Sequence, residues 1–195
     1  MSSLIAGLGN PGKQYEGTRH NIGFEIVEAF ASKKALTFRE KAKFKGLLAD
    51  GGGTVVLKPT TYMNLSGEAV RAVLQYFKIS PSKTLVVVDD VDLSFGQIRL
   101  KVNSGPGTHN GLRSIENCLH TNRYARLKIG VGKQKSGPLT DHVLSRFTNK
   151  EEEELPQIIE RAVEAIEIWS TAGITRAMEF ANKKQPSNPS KEKDE

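Results

Sequence analysis

A chain of 195 residues, 37% apolar and 26% charged, is long enough for one sizeable core and carries the composition of a water-soluble globular protein. No stretch approaches the ~18 consecutive apolar residues of a membrane span, and the opening residues lack the basic start of a targeting peptide. The net charge is +6, and residues 182–195 hold four lysines against three acids, so nearly all the excess sits on the rest of the chain and a polyanionic partner is expected. The single cysteine, Cys118, rules out an internal disulfide; with no Cys/His cluster around it, a reducing, cytoplasmic setting without metal is expected.

Residues 4–8 read as a short buried strand, and 9–19 as a loop punctuated by Asn10, Pro11, Gly12 and Gly17. His20 or Asn21 is placed to cap a helix carrying Phe24, Ile26, Val27 and Phe30 on its apolar side. Residues 54–58 form another strand and 59–64 a loop. Asn64 or Ser66 can cap the next helix, whose apolar side holds Val70, Val73, Leu74 and Phe77, and Pro81 ends that region. Residues 84–88 are a largely β-branched run, expected to be a fully buried strand, and lead into Asp89-Asp90-Val91-Asp92. A strand over 97–102, a glycine-containing loop over 103–108, a helix over 109–119, a strand over 126–131 and a polar loop over 133–138 follow. Residues 151–182 read as a long amphipathic helix opened by four glutamates, which suit a positive helix N-terminus; Gly173 is where it can break. Residues 183–195 are charged and proline-containing and are expected to be disordered, leaving 1–182 as one domain. Strands alternating with helices predict a single-domain, three-layer α/β/α fold around a mixed, largely parallel sheet, with ligands bound beyond the carboxyl ends of its strands.

Gly7-Leu-Gly9-Asn-Pro-Gly12 matches the G-x-G-x-x-G pattern of dinucleotide sites. That site needs a helix starting inside the motif and an acid about 20 residues later at the end of a second strand. Here Pro11, Gly12 and Gly17 keep the chain in a loop, and Glu28 falls within the first helix, so the nucleotide reading is rejected.

The loops after the strands present Asn10, His20 and Asn21, then Asn64, then Asp89, then His109 and Asn110. There is no G-x-S-x-G elbow and no H-E-x-x-H pair, so covalent and zinc chemistry have no obvious residues. General-base hydrolysis remains: a histidine takes a proton from water, a carboxylate orients the imidazole, and amides hold the carbonyl. Position alone leaves Asp89 and Asp90 as equal candidates for that carboxylate.

Four stretches, GLGNPGKQYEGTRHNIGFE (7–25), KPTTYMNLSGEAV (58–70), VVVDDVDLSFGQIRLK (86–101) and GTHNGLRSI (107–115), closely resemble the bacterial-type peptidyl-tRNA hydrolases, a likeness running from about Leu4 to Asn182. The resemblance implies hydrolysis of the ester between a peptide and its tRNA, with no cofactor and with peptidyl-tRNA as partner, by a monomer. It implies that His20 is the base, Asp89 its partner and Asn10 the amide beside the ester. Asn64 and Asn110 would hold the peptide main chain and the water. Tyr15 and Met63 would line the channel, and His109 would form a pocket wall. Lys101 and Lys128 would grip a tRNA phosphate. Lys128 stands where many members carry arginine, so its grip would be a point charge and not a fork. Lys128 can reach Lys101 and Arg99 only if the strand over 126–131 lies beside theirs. Thr108 replaces the glycine usual in the family, and Pro106 stiffens the same loop. A non-catalytic RNA-binding relative of the same fold is the alternative reading.

Overall fold

The computed structural model describes residues 2–133 and 137–183; the expected disordered tail from residue 184 onward lies outside them. In chain order the elements are β1 (Ser3–Gly7), α1 (Ile22–Lys33), β2 (Arg39–Lys41), β3 (Gly46–Gly51), β4 (Thr54–Pro59), α2 (Ser66–Phe77) and β5 (Thr84–Asp90). They continue with β6 (Ile98–Val102), α3 (Asn110–Leu119), β7 (Ala125–Gly130), α4 (Leu139–Leu144), α5 (Asn149–Ala172) and α6 (Ile174–Asn182). One seven-stranded sheet has the order β2-β3-β4-β1-β5-β7-β6. Its centre, β4-β1-β5-β7, is parallel; β2 and β3 on one edge and β6 on the other run antiparallel. The expected mixed, largely parallel sheet is therefore present.

The central strands are apolar on both faces because helices cover both. Ile5, Leu85, Val87 and Leu127 pack against residues of α1, α5 and α6. Leu4, Ala6, Val86 and Val88, the alternate positions, pack against α2 and α3. Gly7 and Gly23 let α1 sit directly on β1: a Cβ on Gly7 would stand 2.2 Å from the Gly23 carbonyl oxygen, and one on Gly23 would stand 2.5 Å from those of Leu8 and Val87. No helix starts inside the glycine motif, since α1 begins only at Ile22. Its glycines serve packing and turning, as the rejection of a nucleotide site requires.

The structure departs from the sequence reading in several places. The strands β2 and β3 are additional to the sequence reading: β2 is exposed throughout and offers no apolar signal, and β3 buries the consecutive Leu48 and Ala49 and so shows no regular alternation. Helix α4, of six residues, was also unread; it has no buried residue and so no periodic stripe. Helix α5 starts at Asn149, ahead of the expected 151, because Thr148 and Glu151 form a reciprocal capping box. The long helix does break at Gly173, whose φ of 86° suits glycine, and α6 folds back onto β6. There Asn182 accepts from Leu100 N–H at 2.8 Å and donates to Leu100 O at 3.0 Å. The expected side-chain caps of α1 and α2 are absent: Asn21 occupies the N-cap position without capping, and Leu65, not Asn64 or Ser66, precedes α2. No helix of the described residues is long and apolar enough to cross a membrane.

Candidate active site

The loop after β1 carries Asn10, and Asp89 lies within β5 at its carboxyl end, as the crevice rule for parallel sheets requires. Alternation along β5 separates the two candidate aspartates. Asp89 shares the orientation of Val87, towards α1, and is 4% exposed. Asp90 shares that of Val88 and meets Lys128, whose Nζ lies 2.8 Å from its Oδ2. The two residues read as equivalent from sequence are therefore opposite in setting, and only Asp89 faces histidine.

His20 lies in a 3-10 turn (Arg19–Asn21) just before α1, with its Nδ1 2.8 Å from Asp89 Oδ1. His109 sits at the start of α3, with its Nε2 3.1 Å from the same oxygen. Its Nδ1 accepts from the N–H groups of Gly111 (3.1 Å) and Leu112 (3.3 Å). An Nδ1 occupied as an acceptor leaves the ring proton on Nε2, so His109 donates to Asp89. Burial by itself would raise the Asp89 pKa; His109 and His20, by charge and hydrogen bonding, outweigh it and hold the carboxyl well below the usual carboxylate range. An anionic Asp89 then draws the other ring proton to His20 Nδ1. His20 Nε2 is left as a lone pair, with no hydrogen bond among the described residues.

The ligand atoms of His20, Asp89 and His109 lie within 4.8 Å of one another, close enough to suggest a metal site. Two ligands of a tetrahedral zinc, each at about 2.1 Å, stand roughly 3.4 Å apart. The 2.8 and 3.1 Å separations are those of hydrogen bonds, and His109 points its protonated nitrogen inward. The trio therefore fits a hydrogen-bonded relay better than a ligand cage.

Asn10 is 9% exposed. Its Oδ1 accepts from Met63 N–H at 2.8 Å, which orients the amide and leaves Nδ2 without a partner among the described residues. Asn21 holds the loop from beneath: its Oδ1 accepts from Asn10 N–H at 2.8 Å and its Nδ2 donates to Asn10 O at 3.0 Å. Arg19 ties the turn bearing His20 to α5 through two bonds to Glu151, at 3.0 and 2.8 Å, and donates to Val131 O at 3.3 Å. By sequence position Asn21 is a capping candidate and Glu151 a helix-start charge. Arg19 and Asn21 flank His20 in T-R-H-N, which was their only available signal.

A cleft of ≈ 530 Å³ is lined by His20, Asp89, His109, Asn110, Lys128 and the α4 residues Leu139 and Val143, among others. His109 stands in its wall. Asn110 is exposed, with Oδ1 3.1 Å from Arg113. Asn64 is exposed and makes no hydrogen bond among the described residues, whereas Met63 is buried at 5%. Asn64, Met63 and Tyr15, the last in the 3-10 turn Lys13–Tyr15, do not line this cleft. The strand β6 does lie beside β7, pairing Arg99 with Lys128 and Lys101 with Arg126, so all four side chains share one face. Lys101 is exposed, while Arg126 is fully buried against Glu116 at 2.7 Å. The loop with Pro106 and Thr108 is tied to α3 by Arg113, which donates to Gly107 O at 3.3 Å.

The sequence pattern of the family described as Peptidyl-tRNA hydrolase matches residues 4–189. The chain is similar to a peptidyl-tRNA hydrolase of Gloeobacter violaceus, at 45% identity over 95% of this chain and 96% of that one. A Chloroflexus aggregans protein of the same name is 48% identical over 92% and 98% of the respective chains. The crystal structure of peptidyl-tRNA hydrolase from Acinetobacter baumannii superposes with a TM-score of 0.89 at 36% identity, over 95% of this chain and 97% of that one.

Proposed function

The chain belongs to the peptidyl-tRNA hydrolase family of ester-cleaving enzymes, and on that premise we propose that it hydrolyses the ester joining a peptide to tRNA with water activated by His20. The observation that carries the reading is the 2.8 Å contact of His20 Nδ1 with buried Asp89, which leaves Nε2 open. His20 Nε2 takes a proton from the attacking water, and Asp89 stabilises the imidazolium that forms. His109, its tautomer held by two backbone N–H groups, steadies the other side of the carboxylate. The free Nδ2 of Asn10 donates to the developing oxyanion, a contribution of ~3 kcal/mol for a well-placed donor. Asn64 and Asn110 hold the peptide main chain and the water, and Tyr15 and Met63 border the path of the peptide. Amides that read main chain ignore side chains, which suits an enzyme acting on any stranded peptide.

Lys101 and Lys128 position the tRNA through phosphate, a contact that carries no sequence information. Lys128 already holds Asp90, so it must share or exchange that partner, and Lys101 is the freer cation. The reading requires no cofactor or metal and places a monomer in the cytoplasm, where a free Cys118 stays reduced. The test is incubation with N-acetyl-aminoacyl-tRNA and, separately, with a simple carboxylic ester. Release of the N-acetyl-amino acid, with the simple ester left intact, is the expected result. Binding of tRNA without cleavage would overturn the catalytic reading in favour of an RNA-binding relative, and equal cleavage of both would overturn the tRNA-directed one.

A further inference from the structure

A second cleft, of ≈ 1130 Å³, opens beside the loop of Asn10, between that loop, α1 and the strands β3 and β4. Asn10 and Asn21 form part of its wall, so it adjoins the amide proposed to stand beside the ester, although it shares no lining residue with the cleft of His20 and Asp89. Asn10 is nine-tenths buried, and its amide nitrogen has no partner among the described residues. In a protein of net charge +6, the charged lining of this cleft is Glu16, Glu25, Glu28 and one cation, Lys58. Lys58 is already bonded to Glu28. Glu25 and Glu16 have no hydrogen-bond or ion-pair partner among the described residues, and Glu25 is half-buried. Its carboxyl pKa is raised, by burial first and then by the charges of Glu28 and Glu152. A half-buried carboxylate without a partner is a cost that an incoming cation removes. Phe24 and Leu47 supply apolar wall, suited to the aliphatic stem of a lysine or arginine.

We propose that this cleft receives the residues upstream of the scissile ester and favours cationic side chains there over acidic ones. The proposal rests on the peptidyl-tRNA reading above. Phosphate is repelled by the two uncompensated glutamates, so the peptide end of the substrate is the part that fits.

The experiment compares two N-acetylated tripeptidyl-tRNAs that share tRNA and C-terminal residue and differ upstream, Lys-Lys against Glu-Glu. The wild type is expected to show a KM about three- to tenfold lower for the lysine substrate, the size of one or two partly exposed ion pairs. The contrast should shrink between low and moderate salt, as screening of exposed charges requires. The double substitution Glu16→Gln/Glu25→Gln should bring the ratio of the two KM values close to one. Equal KM values for the wild type, or a ratio that survives the double substitution, would overturn the proposal. Failure of the underlying reading looks different: wild type would then leave N-acetyl-aminoacyl-tRNA uncut, a substrate with no upstream residue to place in the cleft.

Discussion

Chemistry at the residue scale turns on which nitrogen of each histidine holds the proton. Backbone N–H groups at the start of α3 settle this for His109, and anionic Asp89 settles it for His20. Asp89→Asn removes the charge that draws the proton to His20 Nδ1, so the substituted enzyme is expected to lose about 10²–10⁴-fold in kcat. Asp92→Asn should stay near wild type, because Asp92 is exposed and contacts neither histidine. Single-turnover rates for the two variants decide; an essential Asp92 with a dispensable Asp89 would reverse the assignment. His20→Ala should lose activity to a similar extent while binding uncharged tRNA with nearly unchanged affinity, since the proposed phosphate contacts, Lys101 and Lys128, lie on β6 and β7. Filter binding and turnover, measured together, check that separation.

Each proposed catalytic side chain is held by a neighbour on another element. Arg19 and Glu151 join the turn bearing His20 to α5, and Thr148 and Glu151 cap the same helix. Burial would raise the pKa of Glu151; hydrogen bonds from Arg19 and Thr148 outweigh that effect and lower it. A folded-state pKa below the unfolded one means that the stabilisation is complete above the unfolded value, near ~4.3, and is lost as pH falls through the folded value. Glu151→Gln is therefore expected to cost about 1–3 kcal/mol at neutral pH, the range for hydrogen bonds to charged groups. Its Tm should converge with that of the wild type as the pH drops below the carboxylate range. Thermal melts at pH 7 and in acid test this, and a constant gap at both would mean that the ion pair contributes nothing.

For the molecule as a whole, charge is divided between two regions that suit the two ends of the proposed substrate. The face of β6 and β7 carries Lys101, Arg99 and Lys128, whereas the cleft beside Asn10 is acidic. Arg126 shares the basic face but is sealed against Glu116, and Lys128 is engaged by Asp90, so Lys101 should dominate any phosphate contact. Lys101→Ala is expected to weaken binding of all tRNAs alike, to leave kcat nearly unchanged, and to reduce the log–log salt slope by ~0.7–0.9. Titration of uncharged tRNA from low to moderate salt measures the slope; the same slope in both proteins would show that Lys101 does not touch phosphate.

Periodicity and turn chemistry were local properties, legible in the sequence. They were enough for β1, β4 to β7, the longer helices and the break at Gly173, because apolar spacing and glycine act over a few residues. Four motifs in order pointed to the family and, within it, to His20, Asp89 and Asn10. Exposed β2 and short α4 escaped, since neither buries an apolar face that periodicity could report. Tertiary structure alone decided the rest. It separated Asp89 from Asp90 by the side of the sheet each one faces, and it brought Lys128 opposite Arg99 through strand pairing. It also turned Asn21 from a capping candidate into the clasp of the Asn10 loop, and joined Arg19 to Glu151, 132 residues later. Side-chain partners of that kind depend on which elements pack together, and sequence spacing carries no record of it.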